Sequence, residues 1–276
     1  MSRLSVRKTY KLFIGGAFPR SESGRSYAVT SPKGDFLANA SQASRKDARD
    51  AVSAARKAFP GWSGATAYNR GQILYRIAEM LEGRRAQFAD EGCKKPSIDA
   101  AIDRLVWYAG WSDKIASVHG SSNPVAGPYF NLSSPEPSGV VAVVAPDDPL
   151  LGLVSVVAPV IVTGNTCVVV ASERTPLPSI TLAEVLATSD LPGGVVNILT
   201  GRRAELAPWL AAHMDVNGLD LTGVDDQDLA LRCEQDAAEN LKRVLRPARE
   251  DWSADPGITR MTRFMETKTV WHPVGI

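Results

Sequence analysis

The sequence predicts an α/β fold with a doubly wound parallel sheet, and three apolar runs in the middle of the chain carry this prediction. The runs are short and rich in valine, and they span Gly139–Ala145, Thr166–Val170 and Val195–Leu199. Continuous apolar runs of this length suit strands that are buried on both faces, as in a parallel sheet covered by helices. The segments between the runs are long enough for the crossover helices that parallel pairing requires.

A small hairpin is predicted near the N-terminus. Tyr10–Phe18 combines strand-forming residues with a turn at Gly15-Gly16, and Tyr27–Thr30 is interpreted as a continuation of this hairpin. Two adjacent glycines suit a tight turn because they adopt positive φ angles at little cost.

Three helices are predicted between the hairpin and the apolar runs. The first follows Ser44, which forms a capping-box pattern with Asp47 three residues later. The second begins at Thr66, and the third runs from Ser97 to about Ser117. Apolar residues recur at helical spacing in each helix, so one face of each is expected to pack on the core.

Three further elements are predicted after the last apolar run. A helix rich in alanine and leucine follows Gly201 and reaches His213, and a strand covers Asn217–Thr222. One more helix is predicted from Asp225 to Arg246. It is acidic at its start and basic at its end, which complements the helix dipole and needs no functional interpretation.

The central segments resemble a known family. PEPSGVVAVVAP, VVAPVIVTGNTCVVVASERTPL and LPGGVVNILTG occur in the order found in the cofactor domain of the aldehyde dehydrogenase superfamily. In that family a strand ends in a P-W-N-F-P turn, a G-N-T-V-V-x-K-P-S-E strand follows, and L-P-x-G-V-x-N-x-x-x-G leads into the next unit. The resemblance implies a Rossmann-like cofactor-binding-type domain, which we assign to residues 1–246.

Composition excludes several classes of function. The formal charge is +1 and gives no indication of a nucleic-acid partner. The opening MSRLSVRKTYKLFIGG lacks the apolar core of a signal peptide, and the run Leu150–Val162 contains Pro159 and is too short to span a bilayer. The three cysteines, Cys93, Cys167 and Cys233, have neither metal nor CxxC spacing. We therefore expect a cytoplasmic protein with no membrane or nucleic-acid partner.

The catalytic motifs of the family are missing. Aldehyde oxidation requires a thiolate nucleophile, donors for the developing oxyanion and a carboxylate that activates water. The family supplies the thiol from G-Q-x-C and the base from E-L-G-G-K, and neither motif occurs in this sequence. No cysteine has a base close in sequence, and His119, His213 and His272 form no metal pattern. We therefore predict no catalytic residue and no metal site.

The residues that bind the cofactor in the family are retained only in part after the second strand. In the family's K-P-S-E segment the lysine and the glutamate hold the adenine ribose, whereas this chain has Val170 and Ala171 followed by Ser172 and Glu173. An aliphatic side chain cannot donate to a ribose hydroxyl. Glu173 could be a ribose ligand or a carboxylate at the entry of a helix, and we favour the second interpretation.

Two further departures lie on the neighbouring strands. PDDP replaces P-W-N-F-P, so Asp148 occupies the place of the asparagine that donates to the oxyanion, where a carboxylate would repel it. The family's F-T-G-S keeps Thr222 and Gly223, but the serine beside the pyrophosphate is Val224, and two aspartates follow. These negative charges oppose phosphate binding at a helix N-terminus.

Four retained residues are therefore the candidate cofactor-binding positions. They are Ser172, Glu173, Thr222 and Gly223, and we interpret them as vestigial. No bound cofactor is expected, although NAD or NADP would be the cofactor if the chain were an oxidoreductase.

The C-terminal segment predicts an assembly strand. FMETKTVWHP resembles the Y-x-E-x-K-T-V strand at the end of aldehyde dehydrogenases, which belongs to a small oligomerisation sheet, and residues 263–276 are assigned to it. Residues 247–262 are assigned as a linker, and an oligomerisation strand is placed near residues 128–134. Family resemblance favours a strand that completes a sheet between subunits, while the alternative is a tail that only pairs with Tyr129–Ser133 of its own subunit.

Two functions remain open from the sequence. The chain most resembles the non-catalytic C-terminal half of fused tandem aldehyde dehydrogenases, which favours a pseudoenzyme. Such a structural or regulatory subunit would form a homo-oligomer, or a hetero-oligomer with a complete aldehyde dehydrogenase. The alternative is an NAD(P)-dependent oxidoreductase acting on aldehydes, with catalytic groups that are unrecognised or supplied by a partner chain.

Overall fold

The computed structural model describes residues 8–275, so residues 1–7 of the predicted first unit and Ile276 of the predicted last strand lie outside the described part. Within it the helices are α1 Arg45–Ser63, α2 Ala67–Glu82, α3 Arg85–Asp90, α4 Lys95–Trp111, α5 Ile115–His119, α6 Leu151–Val162, α7 Leu177–Leu186, α8 Arg203–Ala212, α9 Gln227–Ala238 and α10 Thr259–Arg263. The strands are β1 Thr9–Tyr10, β2 Ser26–Thr30, β3 Phe36–Ser41, β4 Ser121–Asn123, β5 Tyr129–Pro137, β6 Val140–Val144, β7 Thr166–Val170, β8 Val196–Leu199, β9 Gly218–Asp220, β10 Arg243–Leu245 and β11 Met265–Pro273.

A five-stranded parallel sheet lies at the centre of the molecule, in the order β10-β9-β6-β7-β8. The three predicted core strands correspond to β6, β7 and β8. Alternate residues of β6 face two separate apolar clusters: Val140 and Val144 pack with α1, α8 and α9, and Val141 and Val143 pack with α2, α4, α6 and α7. Both faces of the sheet are therefore covered by helices, and the doubly wound α/β prediction is confirmed.

The capping box at the start of α1 is present. The Ser44 hydroxyl accepts the N–H of Asp47 at 3.4 Å, and the Asp47 carboxylate accepts the N–H of Ser44 at 2.7 Å. Asp47 is itself buried and also accepts the Ser21 hydroxyl at 2.8 Å. The cap thus fixes the start of α1 and ties it to the preceding N-terminal segment.

The third predicted helix is shorter than expected, because α4 ends at Trp111 and α5 begins at Ile115. The N–H groups of Ser112 and Lys114 donate to carbonyls three residues earlier, those of Ala109 and Trp111. Such tightened bonds are typical of a helix end, so the chain turns here instead of continuing the helix.

The predicted hairpin is only partly correct. Gly15 and Gly16 have φ angles of +62° and +84°, and Ile14 and Ala17 exchange two backbone hydrogen bonds of 3.0 Å across them, so the turn is as expected. The strands differ, however, because β1 pairs in parallel with β3, and β2 pairs with β3 in the antiparallel direction. Phe13 instead exchanges hydrogen bonds with Ile198 of β8, the edge strand at that end of the large sheet.

The helix predicted over Asp225–Arg246 was wrong in its second half. The helix α9 ends at Ala238, Leu241 has a positive φ of 56°, and β10 then adds a fifth strand beside β9. The unpaired edge of β9 supplies hydrogen-bond partners for Arg243–Leu245, which explains why the chain becomes extended there.

A separate three-stranded sheet contains the predicted C-terminal strand. Its order is β11-β5-β4, and β11 pairs with β5 in the antiparallel direction over nine residues, from Met265 opposite Pro137 to Pro273 opposite Tyr129. The strand is thus shorter than residues 263–275, because Arg263 belongs to α10. The strand β11 pairs with β5 of its own chain, as the intramolecular alternative predicts. Its outer edge has no partner strand within residues 8–275.

None of the helices in the described part of the chain is long and apolar enough to cross a membrane.

Candidate cofactor site at the carboxyl edge of the sheet

The four candidate residues lie at one edge of the sheet because the strands are parallel. Ser172 and Glu173 follow β7, whereas Thr222 and Gly223 follow β9. The strand β6 lies between β7 and β9, so the two pairs lie on either side of it. The segment that follows β6 contacts both pairs and therefore forms the centre of the candidate site.

The Ser172 hydroxyl is fully engaged within the chain. It donates to the carboxylate of Asp147 at 2.7 Å and accepts the N–H groups of Arg174 and Thr175 at 3.2 and 3.1 Å. A hydroxyl has one donor and two acceptor positions, and these contacts use all three. Ser172 thus shapes the turn after β7 and has no hydrogen-bonding capacity left for a ligand.

Glu173 binds the N-terminus of α8. Its Oε1 accepts the backbone N–H of Arg203 at 2.5 Å, and its Oε2 lies 3.4 Å from a guanidinium nitrogen of Arg202. Helix N-termini attract anions because their first N–H groups are unpaired and the helix dipole is positive there. The chain's own carboxylate thus occupies the position at which a ligand phosphate could bind.

Arg203 and Asp147 form an ion pair that was not predicted from the sequence. Arg203 Nη2 donates to Asp147 at 2.5 Å and to the carbonyl of Ala145 at 2.8 Å, and the side chain is only 13 % exposed. Arg174 also lies 3.3 Å from Asp147. A cation in the first turn of a helix is unfavourable unless a carboxylate compensates it. Two features of the sequence could have indicated this ion pair: an arginine at the start of α8 and an aspartate after β6.

Asp148, the residue at the place of the family's asparagine, caps a helix. Its Oδ1 accepts the N–H of Gly152 at 2.7 Å, in the first turn of α6. A side chain on Gly152 would collide with Asp148 and Pro146, so only glycine permits this close approach. The structure therefore gives Asp148 a structural role at the N-terminus of α6.

Thr222 contacts a buried cluster that was also missed. Asp220 accepts both the N–H and the hydroxyl of Thr222, at 2.9 and 2.5 Å, and its other oxygen lies 3.0 Å from Arg260. Arg260 also donates to the Thr222 hydroxyl at 3.2 Å and to Glu250 at 2.6 Å. Burial raises the pKa of the Asp220 carboxyl, while Arg260 opposes that rise. Arg260, which belongs to the C-terminal segment, thus covers Thr222.

Gly223 is required by packing. Its N–H donates to the carbonyl of Val144 at 2.9 Å, and a side chain at this position would collide with the backbone of Ala145. The glycine therefore allows the turn after β9 to approach the end of β6.

The N-terminus of α9 is occupied as well. The carboxylate of Asp226 accepts the N–H groups of Asp228 and Leu229 at 2.9 and 3.2 Å, and Val224 beside it is buried. The N-termini of α8 and α9 therefore both bind carboxylates of the chain itself, and dinucleotide phosphates would meet negative charge there. The residues present do not fit a dinucleotide.

The cysteines provide no activated nucleophile. All three are buried and unpaired. Burial raises the pKa of Cys93 to about 12 and that of Cys233 to about 11, and it raises the pKa of Cys167 well above its usual range. A nucleophilic cysteine requires the opposite, a lowered pKa in an accessible electropositive site. In residues 8–275 no three His, Cys, Asp or Glu side chains are grouped so that they could hold a metal ion.

Comparison with known proteins identifies the family. The family model described as "Aldehyde dehydrogenase family" matches residues 18–246. Retinal dehydrogenase 2 of Gallus gallus is 34% identical over 256 residues, covering 87% of this chain and 48% of that protein. Cytosolic 10-formyltetrahydrofolate dehydrogenase of Mus musculus is 33% identical over 264 residues, covering 88% of this chain and 29% of that protein.

Solved structures agree with this result. The NAD+ complex of an aldehyde dehydrogenase from Bacillus cereus matches with a TM-score of 0.79 and 27% identity, covering 86% of this chain and 50% of that chain. An NAD-dependent aldehyde dehydrogenase from Sinorhizobium meliloti matches with a TM-score of 0.80 and 27% identity, covering 86% and 49%. The chain belongs to the aldehyde dehydrogenase family, and it spans about half the length of retinal dehydrogenase 2 and of the two solved dehydrogenases.

Proposed function

We propose that this chain is a non-catalytic member of the aldehyde dehydrogenase family that acts as a structural or regulatory subunit. It would pair with itself or with a complete aldehyde dehydrogenase, in the cytoplasm, where its three free thiols stay reduced. The observation that carries the proposal is the contact between Glu173 and the N–H of Arg203, which fills an anion-binding helix N-terminus from within the chain.

The environment of this contact makes it difficult to displace. Arg203 is held at the same time by Asp147 and by the carbonyl of Ala145, so the start of α8 is fixed to the ends of β6 and β7. A phosphate would have to displace Glu173 from the helix N-terminus. It would then lie near the carboxylates of Glu173 and Asp147. Like charges repel, and a partly buried position reduces screening by salt.

The small sheet supports a role in assembly. Four exposed aromatic or aliphatic side chains lie on its strands β5 and β11: Tyr129, Phe130, Leu132 and Trp271. Trp271 is 57% exposed, and its ring packs edge-on against Tyr129 with centroids 5.8 Å apart. An open strand edge beside exposed aromatic residues favours pairing with another chain.

A turnover assay tests the proposal. Purified protein should form no NADH or NADPH above background with a panel of aliphatic and aromatic aldehydes. The matched control is a variant in which Cys93, Cys167 and Cys233 are all replaced by alanine. Reproducible turnover that this variant loses would show that the chain is an enzyme and would overturn the proposal.

A further inference from the structure

A small polar cavity lies between α4, α6 and the segment from Glu250 to Pro256, and its lining includes Arg260, which also donates to Thr222. Its volume is about 180 Å³, which is room for more than one water molecule. The lining includes Arg104 and Tyr108 of α4 and Ser155 of α6. We call it the Arg104 cavity.

Arg104 is a buried cation without a carboxylate partner. The residue is 9% exposed, and its guanidinium donates to the Ser155 hydroxyl at 2.8 Å and to the carbonyls of Trp252 and Ala254 at 2.8 and 3.0 Å. These bonds use three of its five N–H groups. No carboxylate of residues 8–275 lies within ion-pair distance of it. A desolvated charge without a countercharge is unfavourable, so a bound anion would stabilise this site.

Two hydroxyl groups in the same cavity add hydrogen-bond donors. The Tyr108 hydroxyl is buried and has no hydrogen-bond partner, and burial raises its pKa to about 12, so it keeps its proton at neutral pH. The Ser155 hydroxyl accepts from Arg104 and keeps its own proton available. A guanidinium and two hydroxyls together form a donor set that suits a carboxylate.

The acidic residues of the lining are bound elsewhere. Glu250 pairs with Arg260 at 2.6 Å, and Arg260 also pairs with Asp220. Asp251 is exposed and accepts from Ser253, and Asp255 is exposed and accepts the N–H of Gly257. These carboxylates lower the affinity for an anion, but none of them forms an ion pair with Arg104. Arg104 therefore has no carboxylate within ion-pair distance, although carboxylates line the same cavity.

From these contacts we infer that the Arg104 cavity binds a small monocarboxylate, held by Arg104 and by the hydroxyls of Tyr108 and Ser155. The ligand is a free small molecule, because a cavity of about 180 Å³ leaves no room for a peptide. The inference concerns a site whose lining includes none of the four candidate cofactor residues, and it does not depend on the proposed function.

Acetate is the probe that tests this inference. Calorimetric and thermal-shift titrations of the full chain with sodium acetate should show saturable binding in the millimolar range. Acetamide, its neutral isostere, and sodium chloride at matched ionic strength should show none. Arg104→Met should abolish the acetate response. Tyr108→Phe should weaken it about tenfold, because it removes one hydrogen bond to a charged group. Arg76→Met, at an exposed arginine of α2, is the control and should leave binding unchanged.

Several outcomes would overturn the inference. A non-saturable response would mean that the cavity holds water only. An equal response to acetate and acetamide would mean that the charge of Arg104 does not select the ligand. Binding that persists unchanged in Arg104→Met would place acetate elsewhere. If Arg104→Met does not fold, Tyr108→Phe and Ser155→Ala decide the result, because both keep the arginine. Unchanged affinity in both of these variants would contradict the site.

Discussion

Asp220 of β9 and Arg260 of α10 form a buried ion pair, with Oδ2 and Nη1 3.0 Å apart and side-chain exposures of 2% and 11%. The guanidinium also lies over the ring of Trp252, 5.4 Å from its centroid. The pair therefore joins the end of the central sheet to the segment that leads into β11. Residues 247–262, assigned from the sequence as a linker, contact the core through these side chains.

Removing one member of this pair should destabilise the protein strongly. We expect Asp220→Asn to lower the free energy of unfolding by about 3 kcal/mol, because it leaves Arg260 buried with only Glu250 as a countercharge. Asp220→Asn combined with Arg260→Met should cost less than Asp220→Asn alone, because no unpaired buried charge remains. Urea denaturation followed by circular dichroism measures both variants.

A surface ion pair provides the control for this comparison. Arg49 and Asp50 are more than half exposed, so Asp50→Asn should change the unfolding free energy by less than about 1 kcal/mol. Equal effects of Asp220→Asn and Asp50→Asn on the unfolding free energy would show that the buried pair stabilises the fold no more than a surface pair does.

The buried thiols should be inert in the native protein. With pKa values of about 12 for Cys93 and 11 for Cys233, the thiolate fraction at pH 8 is negligible. Iodoacetamide at pH 8 should therefore label the native chain very slowly, and faster as pH rises. Mass spectrometry should show all three cysteines labelled after denaturation in urea. Rapid labelling of one native cysteine at pH 8 would reveal an activated thiol and would contradict this assignment.

The strand β11 should control assembly. Deleting residues 263–276 should shift the protein from oligomer to monomer, or release its partner, while the α/β core stays folded. Trp271→Ala should shift the same equilibrium more weakly, because it removes apolar contact area and leaves backbone pairing intact. Light scattering measures the mass, and circular dichroism reports the integrity of the core.

An equally exposed aromatic residue gives the control for Trp271. Tyr75 of α2 is also 57% exposed, and Tyr75→Ala should not change the mass. If the truncated chain keeps the native mass, the strand serves only its own subunit, where it already pairs with β5.

The core of the fold was predictable from local patterns. Short valine-rich runs and the Ser44 capping box depend on neighbouring residues, and both are present as expected. The strand β10 was missed because its formation depends on the free edge of β9, whereas Leu241, the residue at the turn, carries no turn signal of its own. Leucine with a positive φ is unusual, and the sequence around it favours a continuous helix.

The candidate site was less predictable than the fold. Sequence comparison selected Ser172, Glu173, Thr222 and Gly223, but their partners come from other strand ends and from the C-terminal segment. Arg203 and Arg260 are 56 and 38 residues from the Asp147 and Thr222 groups they bind. Such contacts leave no periodic pattern in the sequence, so only the assembled edge of the sheet shows that the chain fills its own helix N-termini.

Dinucleotide binding distinguishes a non-catalytic subunit from an NAD(P)-dependent enzyme. Calorimetric titration of the purified chain with NAD and with NADP should give no saturable heat at micromolar concentrations. The reason is that Glu173 and Asp226 occupy the N-termini of α8 and α9, and an aliphatic Val170 stands in place of a ribose donor. Micromolar binding of either nucleotide would contradict the proposed non-catalytic role, because the edge of the sheet would then accept the cofactor despite these carboxylates.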